Sequence, residues 1–309
     1  MEQVRLDSLS RREWPSPAAT VGNFDGVHRG HQALIGTAVA AARDRAGTAV
    51  VLTFEPHPSR VLSPHRAPSA LMTLEQKAEV LAGLGVDLLA VLPFSLELAG
   101  RTPGEFARLV LAEALGARLI VVGTNFRFGR GRAGDLAQLR ELGRSLGFEV
   151  EGLAPLLHEG APISSSRVRE ALARGAVEAV PALLGRRYFV DGTVVRGAGR
   201  GRTIGVPTAN LEVVNETLPG GGVYACWART EEGPLRPAVA NVGRRPTFGG
   251  GQVTVEAHLL DEDADLYGRH LRLEFEARLR EERTFPGPDA LRAQIQQDIA
   301  AARRVLSKA

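Results

Sequence analysis

Apolar positions change their period once along this chain. From Ala18 to about Ala154, short apolar runs (AATVGNF, TAVVLTF, DLLAVLPF, RLIVVG) alternate with stretches of helical spacing (HQALIGTAVAAARDRAG, LEQKAEVLAGLG, TPGEFARLVLAEALG, DLAQLRELGRSLG). Strands separated by helices of this length pair in parallel through right-handed crossovers, with helices on both faces of the sheet. The pattern predicts a doubly wound α/β domain whose site lies beyond the carboxyl ends of its strands. A helical stretch near Ser166 to Leu184 follows, and then the period drops to two in RRYFVDGTVV, VPTANLEV, GVYACWART, LRPAVANVG, QVTVEAHLL and RHLRLEFEARL. Turns rich in Gly, Pro and Asp separate these runs, and the amphipathic stretch GPDALRAQIQQDIAAARRVL closes the chain. Six short strands and a terminal helix predict a small antiparallel β-barrel with a C-terminal helix. The expected domains are residues 1–184 and 185–309.

Composition narrows the chemistry. With 309 residues, 44% of them hydrophobic, two cores can be filled. No run of 18 apolar residues occurs, and the charged start MEQVRLDSLSRREWPSP lacks the apolar centre of an export signal, so a cytoplasmic protein without a membrane partner is expected. The formal charge is only +3 and aromatics make up 5%, without basic and aromatic residues interleaved, which argues against a nucleic-acid partner. The single cysteine, Cys226, excludes an internal disulfide and a thiolate zinc site. Lysine occurs only at Lys77 and Lys308, neither after a glycine-rich loop. No GxxxxGK[ST] loop exists, so ATP chemistry here needs arginine, histidine, backbone amides and a metal. Nothing in the sequence sets the oligomeric state.

Between the first strand and first helix lies Gly22-Asn23-Phe24-Asp25-Gly26-Val27-His28-Arg29-Gly30-His31. Glycines admit a close backbone approach, and the helix start turns free amides and a positive dipole end toward an anion, so polyphosphate is the expected occupant. His28 and His31 stand three apart and can project to one side. A zinc pair is the alternative, with no obvious third ligand.

This segment resembles the HxGH signature of the nucleotidyltransferase superfamily, in the GxFDGxHxGH form of bacterial FAD synthetases. Gly123-Thr124-Asn125-Phe126-Arg127-Phe128-Gly129 is similar to that family's GxNFRFG, and Ile163-Ser164-Ser165-Ser166-Arg167-Val168-Arg169 to its ISSTxxR, with Ser166 in place of threonine. The resemblance implies adenylyl transfer from ATP to FMN, giving FAD and pyrophosphate. It makes His28, His31 and Asn125 catalytic, and it gives Gly22, Phe24, Asp25, Gly26, Gly30, Ser164, Ser165 and Arg169 to ATP and phosphate binding. Asp25 contacts ribose or the metal, or else caps the helix. Arg127, Arg130 and Arg132 read either as a clamp for the FMN phosphate or as a solvated loop.

In the second half, the run from Gly197 through Asn210 is similar to the flavokinase motif GxxxGRxxGxPTAN. The resemblance continues through Gly222–Ala225, Ala240–Gly243, Pro246–Phe248, Val255–His258 and Asp265–Gly268. It implies phosphorylation of riboflavin to FMN by ATP, with Glu256 as the base. Gly201, Arg202, Gly205, Pro207, Thr208 and Asn210 would take ATP and flavin, and Thr208 and Asn210 would hold Mg²⁺. The chain departs from the family at Arg196 and Ala198, where His and Asp are common, and at Val206, where Phe is common. Taken whole, the sequence is identified as a member of the bacterial riboflavin kinase and FMN adenylyltransferase family. The alternatives are one active half beside a scaffold, or a non-catalytic flavin- or RNA-binding regulator.

Overall fold

The structure, a computed structural model, describes residues 1–7, 14–196, 206–231, 233–245, 252–260 and 266–308. Compactness divides the chain into two units, one of Met1–Ser69 with Leu74–Ser164, the other of Ala70–Thr73 with Ser165–Ala309.

The first unit is a six-stranded parallel sheet built from β1 (Glu2–Arg5), β2 (Ala18–Val21), β3 (Ala49–Glu55), β4 (Leu88–Pro93), β5 (Leu119–Gly123) and β6 (Glu149–Leu153). The order across it is β1-β4-β3-β2-β5-β6, and every pair is parallel. The four central strands are nearly continuous apolar runs, as a sheet covered on both faces requires. On one face α1 (Arg29–Asp44) sets Ala38 and Ala42 against Ala18, Ala49, Leu119 and Val121. Small residues let the helix lie close. After α2 (Leu74–Gly83) comes α3 (Pro103–Phe106), opened by a Thr102–Glu105 capping box and continued as a π-helical stretch, Ala107–Ala114. This segment and α4 (Leu136–Leu146) place Phe106, Val110, Leu111 and Leu139 in the core on the other face. Chain order runs from β2 through β3 to β4, then crosses back to β5 on the far side of β2. The switch point therefore falls between the ends of β2 and β5.

In the second unit α5 (Ser165–Ala173) leads to a closed barrel. Its strands are β9 (Tyr188–Val195), β10 (Ala209–Val213), β11 (Gly222–Thr230), β12 (Arg236–Arg245), β13 (Gln252–Leu259) and β14 (His270–Arg280). A small antiparallel pair, β7 (Leu157–His158) and β8 (Ala161–Pro162), precedes them in the chain. The barrel order is β10-β13-β12-β11-β14-β9, and closure leaves no open edge. Tyr224 and Phe275 meet edge to face inside it, at 5.3 Å. The terminal helix α6 (Pro288–Leu306) packs Ala302 and Leu306 on Ala225 and Leu260. Arg280 fixes its register by donating from Nε and Nη2 to buried Asp298. The fold expected from the sequence is the fold observed.

Candidate active sites

The chain leaves β2 through a turn with φ of 47° at Phe24, 79° at Gly26 and 41° at Val27. Phe and Val avoid this left-handed region, and their full burial (1% and 0% exposed) is what holds them there. Gly22 makes room for the turn, since a Cβ there would stand 3.2 Å from the Phe24 ring. Asp25 is buried in the same turn, 7% exposed.

Helix α1 begins at Arg29 rather than His31, and its N-cap is His28, whose Nδ1 accepts the His31 backbone N–H at 3.2 Å. Asp25 therefore does not cap this helix. Because Nδ1 accepts, the neutral His28 ring carries its proton on Nε2. His31, in the first turn, stacks on His28 with ring centroids 3.5 Å apart and planes 16° apart, while Phe24 meets its edge. Burial lowers His28 to about 4. Burial also lowers His31 well below its ordinary value, helped by the nearby charges of His28 and Lys77. Both rings are thus neutral near pH 7, and each has a single N–H to donate. His31 Nδ1 is buried without a hydrogen-bond partner, a cost that purely structural histidines avoid.

Strand β5 lies beside β2, with Val121 opposite Thr20. Its end carries Gly123, and the Phe126 N–H returns to the Gly123 carbonyl at 2.9 Å. Asn125 folds its side chain back over that glycine, where a Cβ would meet Oδ1 at 2.8 Å. Asn125 and the histidine turn therefore rise from neighbouring strand ends at the switch point. A Cβ on Gly30 would come 3.2 Å from the His28 ring and 3.9 Å from the Ile163 carbonyl, which brings the start of Ile163–Arg169 to the first turn of α1. Ser164 ends the first unit, whereas Ser165 and Arg169 belong to α5 in the second. Arg127 pairs with Asp135 at 3.3 Å, both half-exposed.

Sequence reasoning passed over Lys77. It sits in α2 with 7% exposure, and its Nζ donates to the Asn23 carbonyl at 2.9 Å and contacts Thr53 Oγ1 at 3.4 Å. Thr53 Oγ1 donates to the same carbonyl at 3.2 Å. In the helix LEQKAEVLAG the 3.6-residue spacing puts Lys77 on one face with Leu74 and Leu81, so its burial was readable from the period, whereas its partners were not.

On the barrel, antiparallel register sets Asn210 of β10 opposite Glu256 of β13, and Glu256 opposite Asn241 of β12. Cross-strand partners share a face. Val255 and Ala257 point into the core, so Asn210, Glu256 and Asn241 form a polar row on the opposite face, half-buried. His258, two residues on, donates from Nδ1 to the Pro207 carbonyl at 2.7 Å and ties down the segment before Thr208. Asn241 and His258 lay within quoted motifs, yet only the register gives them a place in the site. Arg196 lies over the Tyr267 ring at 5.8 Å. Gly201, Arg202 and Gly205, with Ala198, Pro246–Phe248 and Asp265, lie outside the described residues.

Two family models match these units: one described as FAD synthetase over residues 10–167, the other as riboflavin kinase over residues 184–306. A bifunctional riboflavin kinase/FMN adenylyltransferase of Escherichia coli K12 is 39% identical, covering 98% of this chain and 97% of its own. This chain belongs to that family. The Bacillus subtilis member is 36% identical over 97% of this chain and 95% of its own. A crystal structure of a Streptococcus pneumoniae protein, described as a macrolide-efflux protein, matches with a TM-score of 0.90 at 32% identity, covering 97% of this chain and 98% of that one. Among the described residues here, no helix is long and apolar enough to cross a membrane. In this bifunctional family the two halves named by the models coincide with the stacked histidines and with the polar row on the barrel.

Proposed function

We propose that residues 185–309 phosphorylate riboflavin to FMN and that residues 1–184 join FMN to the adenylyl group of ATP. The carrying observation is that one chain holds both the capped, neutral His28–His31 pair at a sheet switch point and the Asn210–Glu256–Asn241 row. ATP use in both steps makes the cytoplasm the expected compartment. The substrates are small molecules, with neither nucleic acid nor membrane as a partner.

In the kinase step the Glu256 carboxylate takes the proton of the ribityl 5′-hydroxyl as that oxygen attacks the γ-phosphorus and ADP leaves. Gly201, Arg202, Gly205 and Pro207 bind the nucleotide and flavin. Thr208 and Asn210 offer neutral oxygens suited to Mg²⁺, which prefers a few protein oxygens completed by phosphate and water. An ion whose other ligands are phosphate oxygens and water fits this donor set. Bound there, Mg²⁺ would neutralise charge on the phosphates.

In the adenylyl step an FMN phosphate oxygen attacks the α-phosphorus of ATP, the bond to the bridging oxygen breaks, and pyrophosphate carries away the electron pair. Charge grows on phosphate oxygens, and neutral His28 and His31 donate to them without exchanging a proton. Gly22, Gly26 and Gly30 let the backbone approach, Phe24 buttresses His31, and Asp25 meets ribose or metal. Asn125 orients phosphate or flavin, while Ser164, Ser165 and Arg169 hold the β- and γ-phosphates.

The test is chromatography of flavins after incubation with riboflavin, ATP and Mg²⁺. Wild type should accumulate FAD. Glu256→Gln should lose about 10²-fold or more in FMN formation while still converting supplied FMN, and replacing His28 with His31 should do the reverse. Persistence of both steps in either variant refutes the assignment.

A further inference from the structure

Lysine is scarce in this chain, two residues among 38 basic ones, and one of the two is buried. Lys77 is 7% exposed, and both of its polar contacts are neutral oxygens, the Asn23 carbonyl and the Thr53 hydroxyl. Asp25 and Glu55 act on it through space. An ammonium in such surroundings gives up its hydration for hydrogen bonds that a neutral side chain could supply more cheaply, and buried charges of this kind concentrate at functional sites. The residue it holds, Asn23, opens the turn in which Phe24, Gly26 and Val27 take left-handed backbone. The same charge reaches His31.

We propose that Lys77 is a positioning residue for adenylyl transfer, fixing the Asn23 carbonyl and hence the turn that presents His28 and His31, and supplying a buried positive charge within reach of the phosphates. This rests on reading that turn as the triphosphate site. A compact ammonium suits two oxygens converging on one point, whereas a guanidinium fork does not. That accounts for lysine here in a chain that otherwise uses arginine. The groups facing Lys77 are Asp25 and Glu55, which favour its charge, and His31, while burial works against it and lowers its pKa from the ordinary lysine value. As pH rises Lys77 therefore loses its charge earlier than a solvated lysine does.

The experiment compares wild type, Lys77→Met and Lys77→Arg in FMN-to-FAD conversion from about pH 7 to about pH 9.5, with riboflavin-to-FMN conversion measured in the same preparations. Replacing a buried charge by an apolar side chain of similar volume is often neutral or stabilising. Lys77→Met should keep or raise the melting midpoint of the first unit and keep kinase turnover. It should cut kcat for FAD formation about tenfold or more, with KM for FMN within about twofold. It should also lose the alkaline fall that wild type shows. Lys77→Arg should not restore the rate. An unchanged rate and alkaline limb in Lys77→Met, or a lost rate together with a lowered midpoint, overturns the proposal and leaves the adenylyl reading standing. Absence of FAD formation by wild type overturns that reading itself.

Discussion

Acid should loosen the first unit through His28. The free imidazole titrates at 6.5 and the folded one at about 4, so between those values the unfolded chain binds the proton and the folded chain refuses it. Stability is full above pH 6.5 and falls as pH drops, with the loss saturating below pH 4. The gap of 2.5 units corresponds to about 3 kcal/mol in full and about 2 kcal/mol by pH 5. His28→Asn removes the titration but keeps an N-cap side chain that can accept the His31 N–H. The chain has two tryptophans, Trp14 against the first unit's core and Trp227 on β11. In a Trp227→Phe background, Trp14 fluorescence during urea unfolding reports the first unit alone. Between pH 7.5 and pH 5 the histidine form should lose about 2 kcal/mol more than the asparagine form. Equal losses would refute the claim that His28 is buried neutral, and with it the neutral-donor account of the site.

Three further outcomes are expected. Asp191 and Arg272 form a buried two-pronged pair at 2.7 and 2.9 Å, so Asp191→Ala should destabilise the barrel by about 3–5 kcal/mol. Trp227 fluorescence in a Trp14→Phe background measures it, and a loss below about 1 kcal/mol counts against the pair's importance. Cys226 is 0% exposed, and burial pushes its thiol up. It should therefore resist a thiol reagent until denaturant is added, and prompt labelling of the native protein would contradict its placement. Excess chelator should stop riboflavin phosphorylation and added Mg²⁺ restore it, whereas undiminished turnover in chelator would remove the metal role given to Thr208 and Asn210.

The central strands and long helices were legible because each carries a strong period. The strands that escaped lie at the sheet edges. β1 shows only Val4 buried and β6 no fully buried residue, so neither has the apolar run that marks β2 to β5. TPGEFARLVLAEALG reads as one regular helix, and its π-helical second half leaves no trace in spacing. Glycine and histidine chemistry exposed the His28–His31 turn, since few other uses bring those types together. The partners of Lys77 and Asn241 were opaque for a shared reason: they are tertiary neighbours, Asn23 in one case and Glu256 through the strand register in the other.

The short segment Ala70–Thr73 carries a practical consequence for anyone cutting the chain apart. It precedes the barrel by more than a hundred residues, yet Tyr188 Oη reaches the Leu71 carbonyl at 2.9 Å and Thr217 Oγ1 donates to the Ala70 carbonyl at 2.9 Å. A recombinant fragment starting near residue 184 leaves those acceptors behind. A fragment ending at Ser164 loses Ser165 and Arg169, the residues proposed to hold phosphates. Active halves are better sought by silencing one site within the intact polypeptide than by expressing the pieces.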